Sequence, residues 1–272
     1  MERDFHDRTR RAQGQSQTFE YTLNDVTVRF CTEDQDSYSW FFPRYAEGRI
    51  HERKVTEMLL QTIDGAKCFV DIGAYLGWYT CLASQHMPQG KVYGFEMDAL
   101  NYALLQKNLT INDCKNVEAH NLAVSDSLGI LRYEREDSHP SPILRLSTEE
   151  MIDNSSNLIP VAAITLDVFF QNKYIKPDVV KIDVEGAETK VLRGMTRLLR
   201  NYNPTLFLEI HPLNLPLYKS SVSAILMLLM ENEYKVFEID DMRGQNSWLK
   251  LNELSPESVI ENNSMIYATS LG

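Results

Sequence analysis

Two short apolar runs carry an unusual density of charge. In VVKIDVEG (179–186), Lys181, Asp183 and Glu185 alternate with Val180, Ile182 and Val184; in LFLEIH (206–211), Glu209 and His211 keep the same two-residue spacing. Extended chain with that alternation sets its polar groups on one side. If the two runs end beside one another, three acids, a lysine and a histidine converge, which is costly unless they are paired, hydrated or used. Asp183 and His211 are the proton acceptors by type. Glu209 can orient a substrate hydroxyl or the His211 ring, Lys181 can neutralise the acids, and Glu185 can cap a following helix. The competing reading is a salt-bridge network that only ties two strands together. Asp183, Glu209 and His211 are also ligand types that several divalent ions accept, but they select no particular metal. Hydrogen-bonded acid–base chemistry needs fewer parts, and no metal is assigned.

A second constellation lies in VDIGAYLG (70–77). Gly73 and Gly77 allow a sharp turn and a close approach of backbone to ligand. A turn that leaves a buried strand and opens a helix aims its amides at a bound group. Asp71 ends the strand, where its carboxylate can orient the turn or accept from a cationic amino group. The spacing is neither the dinucleotide G-x-G-x-x-G nor the phosphate loop G-x-x-x-x-G-K-[ST], so it suits a ligand without a pyrophosphate. Glu96 closes KVYGFE, 19 residues beyond Gly77. In a β-α-β unit the end of the next strand returns beside the first turn, where a carboxylate can accept both hydroxyls of a ribose. Capping of the helix after it is the structural alternative.

The elements that must position these groups read as a regular alternation. KCFVDIG (67–73) is a buried strand followed by a helix to about residue 87. KVYGFE (91–96) is the next strand, 99–112 a strong helix, and VEAHNLAVS (117–125) a third strand. After a break over 126–160, expected to be a hairpin and a polar excursion, the order resumes with a short helix at ITLDVFFQN. It continues with a strand at 178–184, a helix at 186–200, a strand at 205–211 and a helix at 219–233. YKVFEI and NSMIYAT are late strands, the second an edge strand or an antiparallel addition. Apolar strands separated by helices predict a mostly parallel sheet covered on both faces. Ahead of it, residues 20–33 suit a hairpin, and 49–63 a helix with Val55, Met58, Leu59 and Ile63 on one face. The expected organisation is a mobile tail at 1–19, an N-terminal embellishment at 20–66, and a catalytic domain at 67–272 with the 126–160 insertion.

The 272 residues carry 38 acidic and 27 basic side chains, a net charge of −11. That balance argues against a broad nucleic-acid track. Cys31, Cys68, Cys81 and Cys114 form no C-x-x-C pair and read as reduced thiols of a cytoplasmic protein. The longest apolar stretch, AILMLLM at 224–230, is far short of a membrane span, and no membrane insertion is expected. Trp40, Phe41 and Phe42 form a consecutive aromatic cluster, read as a lid, a substrate wall or simple packing.

The motifs VDIGAYLGWYT (70–80), VYGFEMDALNYALLQKNLTIN (92–112), NLAVSD (121–126), VVKIDVEGAETKVLRG (179–194) and LFLEIHP (206–212) together resemble the FkbM-family methyltransferases, a branch of the class I S-adenosylmethionine-dependent enzymes. The resemblance covers residues 50–212 well. It departs from the family pattern at Tyr75, where an asparagine usually follows DIGA. It implies a Rossmann-like fold, mostly parallel, with an antiparallel C-terminal strand and helices on both faces. By the same resemblance, the cofactor is S-adenosylmethionine, held by Asp71, Gly73 and Gly77 at its methionine side. Glu96 would take the ribose, and Asn121, Ala123 and Val124 the adenosine. Glu52 falls in the family-like glutamate region before the first core strand; by residue type and position, Tyr75 and Trp78 can enclose the cofactor or cover a hydrophobic acceptor, and Glu52, Tyr75, Trp78 and Glu185 are the candidate acceptor-binding residues. The implied reaction is methylation of a hydroxyl oxygen on a small-molecule, natural-product or saccharide acceptor. N-methylation and a noncatalytic cofactor-binding module are the alternatives. The sequence fixes neither the acceptor nor the oligomeric state.

Overall fold

The computed structural model of the chain describes residues 18–23, 25–35, 37–46, 49–136, 143–146, 158–244 and 248–270. Most of the tail expected at 1–19, and most of the polar excursion expected within 126–160, lie outside these residues.

An antiparallel hairpin comes first, β1 (Thr18–Leu23) with β2 (Val26–Cys31). A wide helical turn at Ser37–Phe41 runs into α1 (Phe42–Tyr45), and α2 (Arg53–Thr62) follows. The core then alternates: β3 (Cys68–Ile72), α3 (Trp78–His86), β4 (Lys91–Phe95), α4 (Ala99–Ile111) and β5 (Val117–His120). Next come β6 (Ala123–Val124), β7 (Gly129–Glu136), β8 (Ile143–Leu146) and β9 (Ile159–Ile164), which pair into a small sheet in the order β6-β9-β7-β8. The alternation resumes with α5 (Leu166–Phe170), β10 (Val179–Ile182), α6 (Glu188–Arg193), α7 (Thr196–Tyr202) and β11 (Thr205–Ile210). Last are α8 (Val222–Glu231), β12 (Tyr234–Ile239), β13 (Leu251–Glu253) and β14 (Ser264–Ser270).

The large sheet runs β13-β12-β14-β11-β10-β3-β4-β5. Strands β5, β4, β3, β10 and β11 are parallel, whereas β14 is antiparallel to both β11 and β12. This is the Rossmann-like α/β architecture the sequence predicts, antiparallel late strand included. Residue parity sorts the two faces. Phe69, Val92, Val179, Phe207 and Met265 pack into one core with α2, α3, α4 and the hairpin. Val70, Tyr93, Val180, Leu208 and Ile266 pack into the other with α5 to α8. Strands buried on both faces explain why these runs read as nearly continuous apolar sequence.

Two expectations need correcting. The run 117–125 is not one strand: β5 leaves the large sheet at His120, and Ala123–Val124 crosses over to pair with Ala163–Ile164. The helix expected over 186–200 is two helices, broken at Gly194–Met195. A Cβ at Gly194 would come within 2.0 Å of the Ser125 carbonyl oxygen, so the break lets the chain pack against the start of the small sheet. Of the two readings of the last strand, the antiparallel addition holds: β14 is interior, between β11 and β12.

The hairpin is fastened to α4 by two asparagines one turn apart. Asn108 Oδ1 accepts from the Cys31 amide at 2.9 Å while its Nδ2 donates to the Leu76 carbonyl at 2.8 Å. Asn112 makes a reciprocal pair with the backbone of Arg29, both bonds at 2.7 Å. These bonds satisfy a strand edge that would otherwise remain open.

Candidate active site

Register brings the polar groups together. Lys181 on β10 sits beside Asp71 on β3 and Phe207 on β11, so the column of side chains on that face is Asp71, Lys181, Phe207. Two residues further along each parallel strand, the same column continues as Gly73, Asp183 and Glu209, and His211 follows just past the end of β11. Phe69, Val179 and Phe207 fill the hydrophobic part of this face. The charged residues therefore begin where the strands emerge at the carboxyl end of the sheet, the place where open α/β sheets bind ligands.

A cavity of about 320 Å³ opens there. Its lining includes Asp71, Gly73, Tyr75, Trp78 and Glu96, together with Lys181, Asp183, Glu185, Glu209 and His211. Glu52, Ala123 and Val124 line it as well. Of the residues expected from sequence, Gly77 and Asn121 do not line it. A Cβ on Gly77 would come within 2.6 Å of Leu105 Cδ1, so this glycine serves the packing of α3 on α4. The Asn121 amide donates to the carbonyls of Glu96 and Met97 at 2.9 and 3.0 Å, which fastens the β4 end rather than facing the cavity.

The turn after β3 is held by bonds across to β4. The amides of Gly73 and Ala74 both donate to the Phe95 carbonyl at 2.9 Å. Gly73 has φ +79°, and a Cβ there would lie 1.8 Å from the Asp183 carbonyl oxygen. That collision, with backbone on the neighbouring strand, explains the glycine. Glu96 is buried, and each of its oxygens already accepts from backbone, Oε2 from Tyr75 at 2.9 Å and Oε1 from Asp98 at 2.8 Å. Burial pushes its carboxyl up to about 7, against the opposing pull of those two amides. Asp71 is buried too. Its Oδ2 accepts from the Thr80 hydroxyl at 2.6 Å, and its Oδ1 has no hydrogen-bond partner among the described residues. Burial raises its pKa, with Lys181 opposing. A cavity wall thus contains one unsatisfied carboxylate oxygen and, beside it, a second carboxyl set in a fixed orientation.

Beside these groups the lining holds a charge cluster. Burial alone would lower the Lys181 ammonium, but Asp183, Asp71, Glu52 and Glu209 outweigh it and hold Lys181 above its ordinary value. Its Nζ lies 3.3 Å from Asp183 Oδ2 and 4.6 Å from the centre of the Tyr79 ring. Burial works against the charge on Asp183, yet Lys181 and His211 hold its pKa below the usual carboxylate range. Glu209 moves the other way, raised by burial and by the charges of Asp183 and Glu52. His211 Nδ1 lies 2.7 Å from Glu188 Oε1, while its Nε2 faces Asp183, Glu185 and Glu209 at 3.8, 3.5 and 3.7 Å. Burial disfavours its charge, but the bond to Glu188 and the three acids raise it to about 10. At neutral pH His211 is therefore an imidazolium, which removes it as a ready proton acceptor. Asp183, Glu209 and His211 also bring ligand-type atoms within 4.8 Å of one another, the set a divalent ion would use.

Glu188 is the residue that sequence reasoning passed over. It is fully buried, outside the cavity, and accepts from the Gly186 amide at 2.9 Å as well as facing His211. The signal was present, since Glu188 stands three residues after Glu185 in VEGAE. Met97 and Leu122 were also missed, as were Arg44, His51 and Arg243, all of which line the cavity. Trp78 is pinned by packing: it stacks on Tyr45 with ring centres 3.9 Å apart, and its indole N–H donates to the Thr56 hydroxyl at 3.2 Å. Glu52 Oε2 accepts from the Tyr79 hydroxyl at 2.6 Å. Trp40 and Phe41 of the aromatic cluster line the cavity, while Phe42 packs edge-on against Phe19 of the hairpin.

Comparison with known proteins gives the same reading of the chain. Hexuronic acid methyltransferase AglP of Haloferax volcanii is 29% identical over 161 residues, covering 59% of this chain and 62% of that protein. Methyltransferase 1 of Beauveria bassiana is 24% identical over 142 residues, covering 46% of this chain and 57% of that one. The chain thus spans about three fifths of the length of these relatives. Among solved structures, methyltransferase FkbM from Methylobacillus flagellatus KT aligns with a TM-score of 0.44 and 15% identity, over 74% of this chain and 43% of that one. The family model described as the methyltransferase FkbM domain matches residues 71–236, from Asp71 at the end of β3 into β12. That span is well over half of the sequence and contains both the glycine turn and the VEGAE segment, and the chain belongs to the FkbM methyltransferase family.

Proposed function

We propose that the chain transfers a methyl group from S-adenosylmethionine to a hydroxyl oxygen of a small-molecule or saccharide acceptor. The observation that carries this reading is one cavity lined by two differently built sets of groups. One set offers the unsatisfied Asp71 oxygen and the oriented Glu96 carboxyl, and the other is the Lys181–Asp183–Glu209–His211 cluster. The first set fits the cofactor: a buried carboxylate oxygen lacking a donor suits a cationic amino group, and a fixed carboxyl suits two ribose hydroxyls. Asp71 and the 73–75 turn would hold the methionine end, Glu96 the ribose, and Ala123 and Val124, with Met97 and Leu122, the base. The relative named for hexuronic acid supports a saccharide-type acceptor.

When bound, S-adenosylmethionine supplies an electrophilic methyl on sulfonium. The chain's own part is to align the acceptor oxygen, exclude water and take one proton. Asp183 is the proton acceptor we assign. It is a weak base, but a hydroxyl oxygen that is gaining a methyl becomes far more acidic than a carboxylic acid, so a carboxylate suffices. Lys181 and His211 keep Asp183 ionised and in place, and Glu188 fixes the His211 ring through Nδ1. The same ammonium and imidazolium already balance the local negative charge, so the reading routes no step through a metal.

The test is methyl-labelled S-adenosylmethionine offered with a panel of hydroxylated acceptors, followed by product mass and linkage. A labelled methyl ether supports the reading, a labelled amine overturns the reaction subtype, and absence of turnover by folded protein across the panel favours a noncatalytic module. Equilibrium binding should favour S-adenosylhomocysteine over NAD; the reverse preference rejects the cofactor.

A further inference from the structure

Two arginines line the cavity that the methyl-transfer chemistry does not use. Arg44 lies on α1 and Arg243 follows β12, so both stand outside the 71–236 span that carries the family's shared machinery. Arg44 sits over Trp40, its guanidinium carbon 3.5 Å from the ring centre. Among the described residues no carboxylate pairs with it. The nearby acids are engaged elsewhere: Glu52 with Tyr79, Asp71 with Thr80, and Asp183 with Lys181. Arg243 reaches Glu209 at a long 3.5 Å, with half of its side chain exposed.

Guanidinium groups are planar forks that match an oxyanion with two parallel N–H bonds, and stacking on an indole fixes one such fork in advance. A half-buried cation without an anion is under-compensated, so a cavity lining with Arg44 in it suits a charged ligand. Burial, together with Arg243, does depress the Arg44 pKa. His51 lines the same cavity, lowered to about 3 by burial and by both arginines. It is neutral at any working pH and adds hydrogen bonding without charge.

We infer that Arg44 and Arg243 form an anion-binding wall, and that the acceptor is a saccharide bearing a carboxylate as well as the hydroxyl that is methylated. The carboxylate docks on the arginines, which leaves the hydroxyl to face Asp183. This rests on the methyl-transfer reading of the cavity, but its test does not depend on turnover.

The experiment measures equilibrium binding of a methyl hexuronoside and of the matching methyl hexoside, which differ only in the carboxylate. Binding is measured with and without S-adenosylhomocysteine, to the full chain and to its Arg44→Gln and Arg243→Gln variants. The expected result is a hexuronoside preference of tenfold or more, lost in each variant while hexoside binding stays unchanged. Arg44→Lys should restore only part of it, because an ammonium cannot make the paired bonds. Equal binding of the two sugars, binding of neither, or a preference that survives both variants overturns the inference. A labelled methyl ester as product also overturns it, since the carboxylate would then sit at the reacting centre rather than on the arginines. If the acid preference is found but no labelled methyl is transferred, the methyl-transfer reading fails and the anion-binding wall stands.

Discussion

Glu96 offers a quantitative test, because its environment sets two effects of opposite sign. In the free protein burial raises its pKa from the ordinary 4.5 to about 7. A carboxyl whose pKa is raised on folding contributes stability that is fully present below its unfolded value and is lost as the pH climbs through its folded one. Between pH 4.5 and about 7 the protein should therefore lose about 3 kcal/mol on account of this one group. If Glu96 takes the ribose, the sugar's hydroxyls would donate to the ionised form, so cofactor binding should strengthen as pH rises towards 7 and level off above it. The slope should approach tenfold per pH unit at the acid end. Glu96→Gln removes the ionisation. It also turns an amide NH₂ towards one of the two backbone N–H groups of Tyr75 and Asp98, forfeiting one hydrogen bond for about 1–3 kcal/mol. That loss and the relieved burial cost nearly cancel, so the variant should fold with a stability close to that of the parent at pH 8. Its affinity for S-adenosylhomocysteine should nonetheless fall by about 1–3 kcal/mol, roughly 5- to 150-fold, and become independent of pH. Calorimetric titration from pH 5.5 to 8.5, with thermal melts at each pH, measures all of these. A folded variant that binds within twofold of the parent at pH 8, or a parent affinity that is flat across the range, would refute the assignment of Glu96 to the ribose.

Asp183→Asn should leave S-adenosylhomocysteine binding in place and slow methyl transfer by about 10²–10⁴-fold; unchanged turnover on the true acceptor rules Asp183 out as the proton acceptor. Glu188→Gln should lower the titration of His211 from about 10, readable as its imidazole resonance by NMR, and should shift the alkaline limb of activity the same way. An unmoved resonance would mean that the acids on the Nε2 side, not Glu188, set the charge. Gly73→Ala drives a methyl into the Asp183 carbonyl at positive φ and should cost about 3–5 kcal/mol by denaturant melts; a loss under 1 kcal/mol contradicts the packing described. Prolonged chelation should leave methyl transfer unchanged, and loss of activity that returned with added magnesium would place an ion on Asp183, Glu209 and His211.

The sheet was legible because its strands are buried on both faces and alternate with helices, a pattern that survives without knowledge of tertiary contacts. The glycine turn and the charged strand ends were legible for a related reason. Register on parallel strands converts a spacing of two residues into neighbouring side chains, as Asp183 and Glu209 show, each two residues beyond the paired Lys181 and Phe207. Other features have no local signature. VEAHNLAVS reads as one extended run because leaving the sheet at His120 depends on a partner, β9, some forty residues away. The helix expected over 186–200 runs straight through Gly194, and only the Ser125 carbonyl against that residue explains the break. Asn121 looked like a ligand for adenosine because its place in the motif shows the strand end and not the direction its amide takes. Arg44, His51 and Arg243 reach the cavity from the flanks, where neither periodicity nor motif links them to residues 71–211.

The interior position of β14 has a consequence for how the protein is made. Strand β12 touches no central strand directly; it is joined to β11 only through β14, whose Met265, Ile266 and Ala268 are fully buried. A ribosome delivers residues in order, so the nascent chain must expose the flanks of β11 and β12 until residues 264–270 emerge and fill the slot between them. Until then two hydrophobic edges wait unpaired, an invitation to aggregation or to premature pairing with each other. Early stop codons before Ser264 should therefore give insoluble product instead of a trimmed, working enzyme.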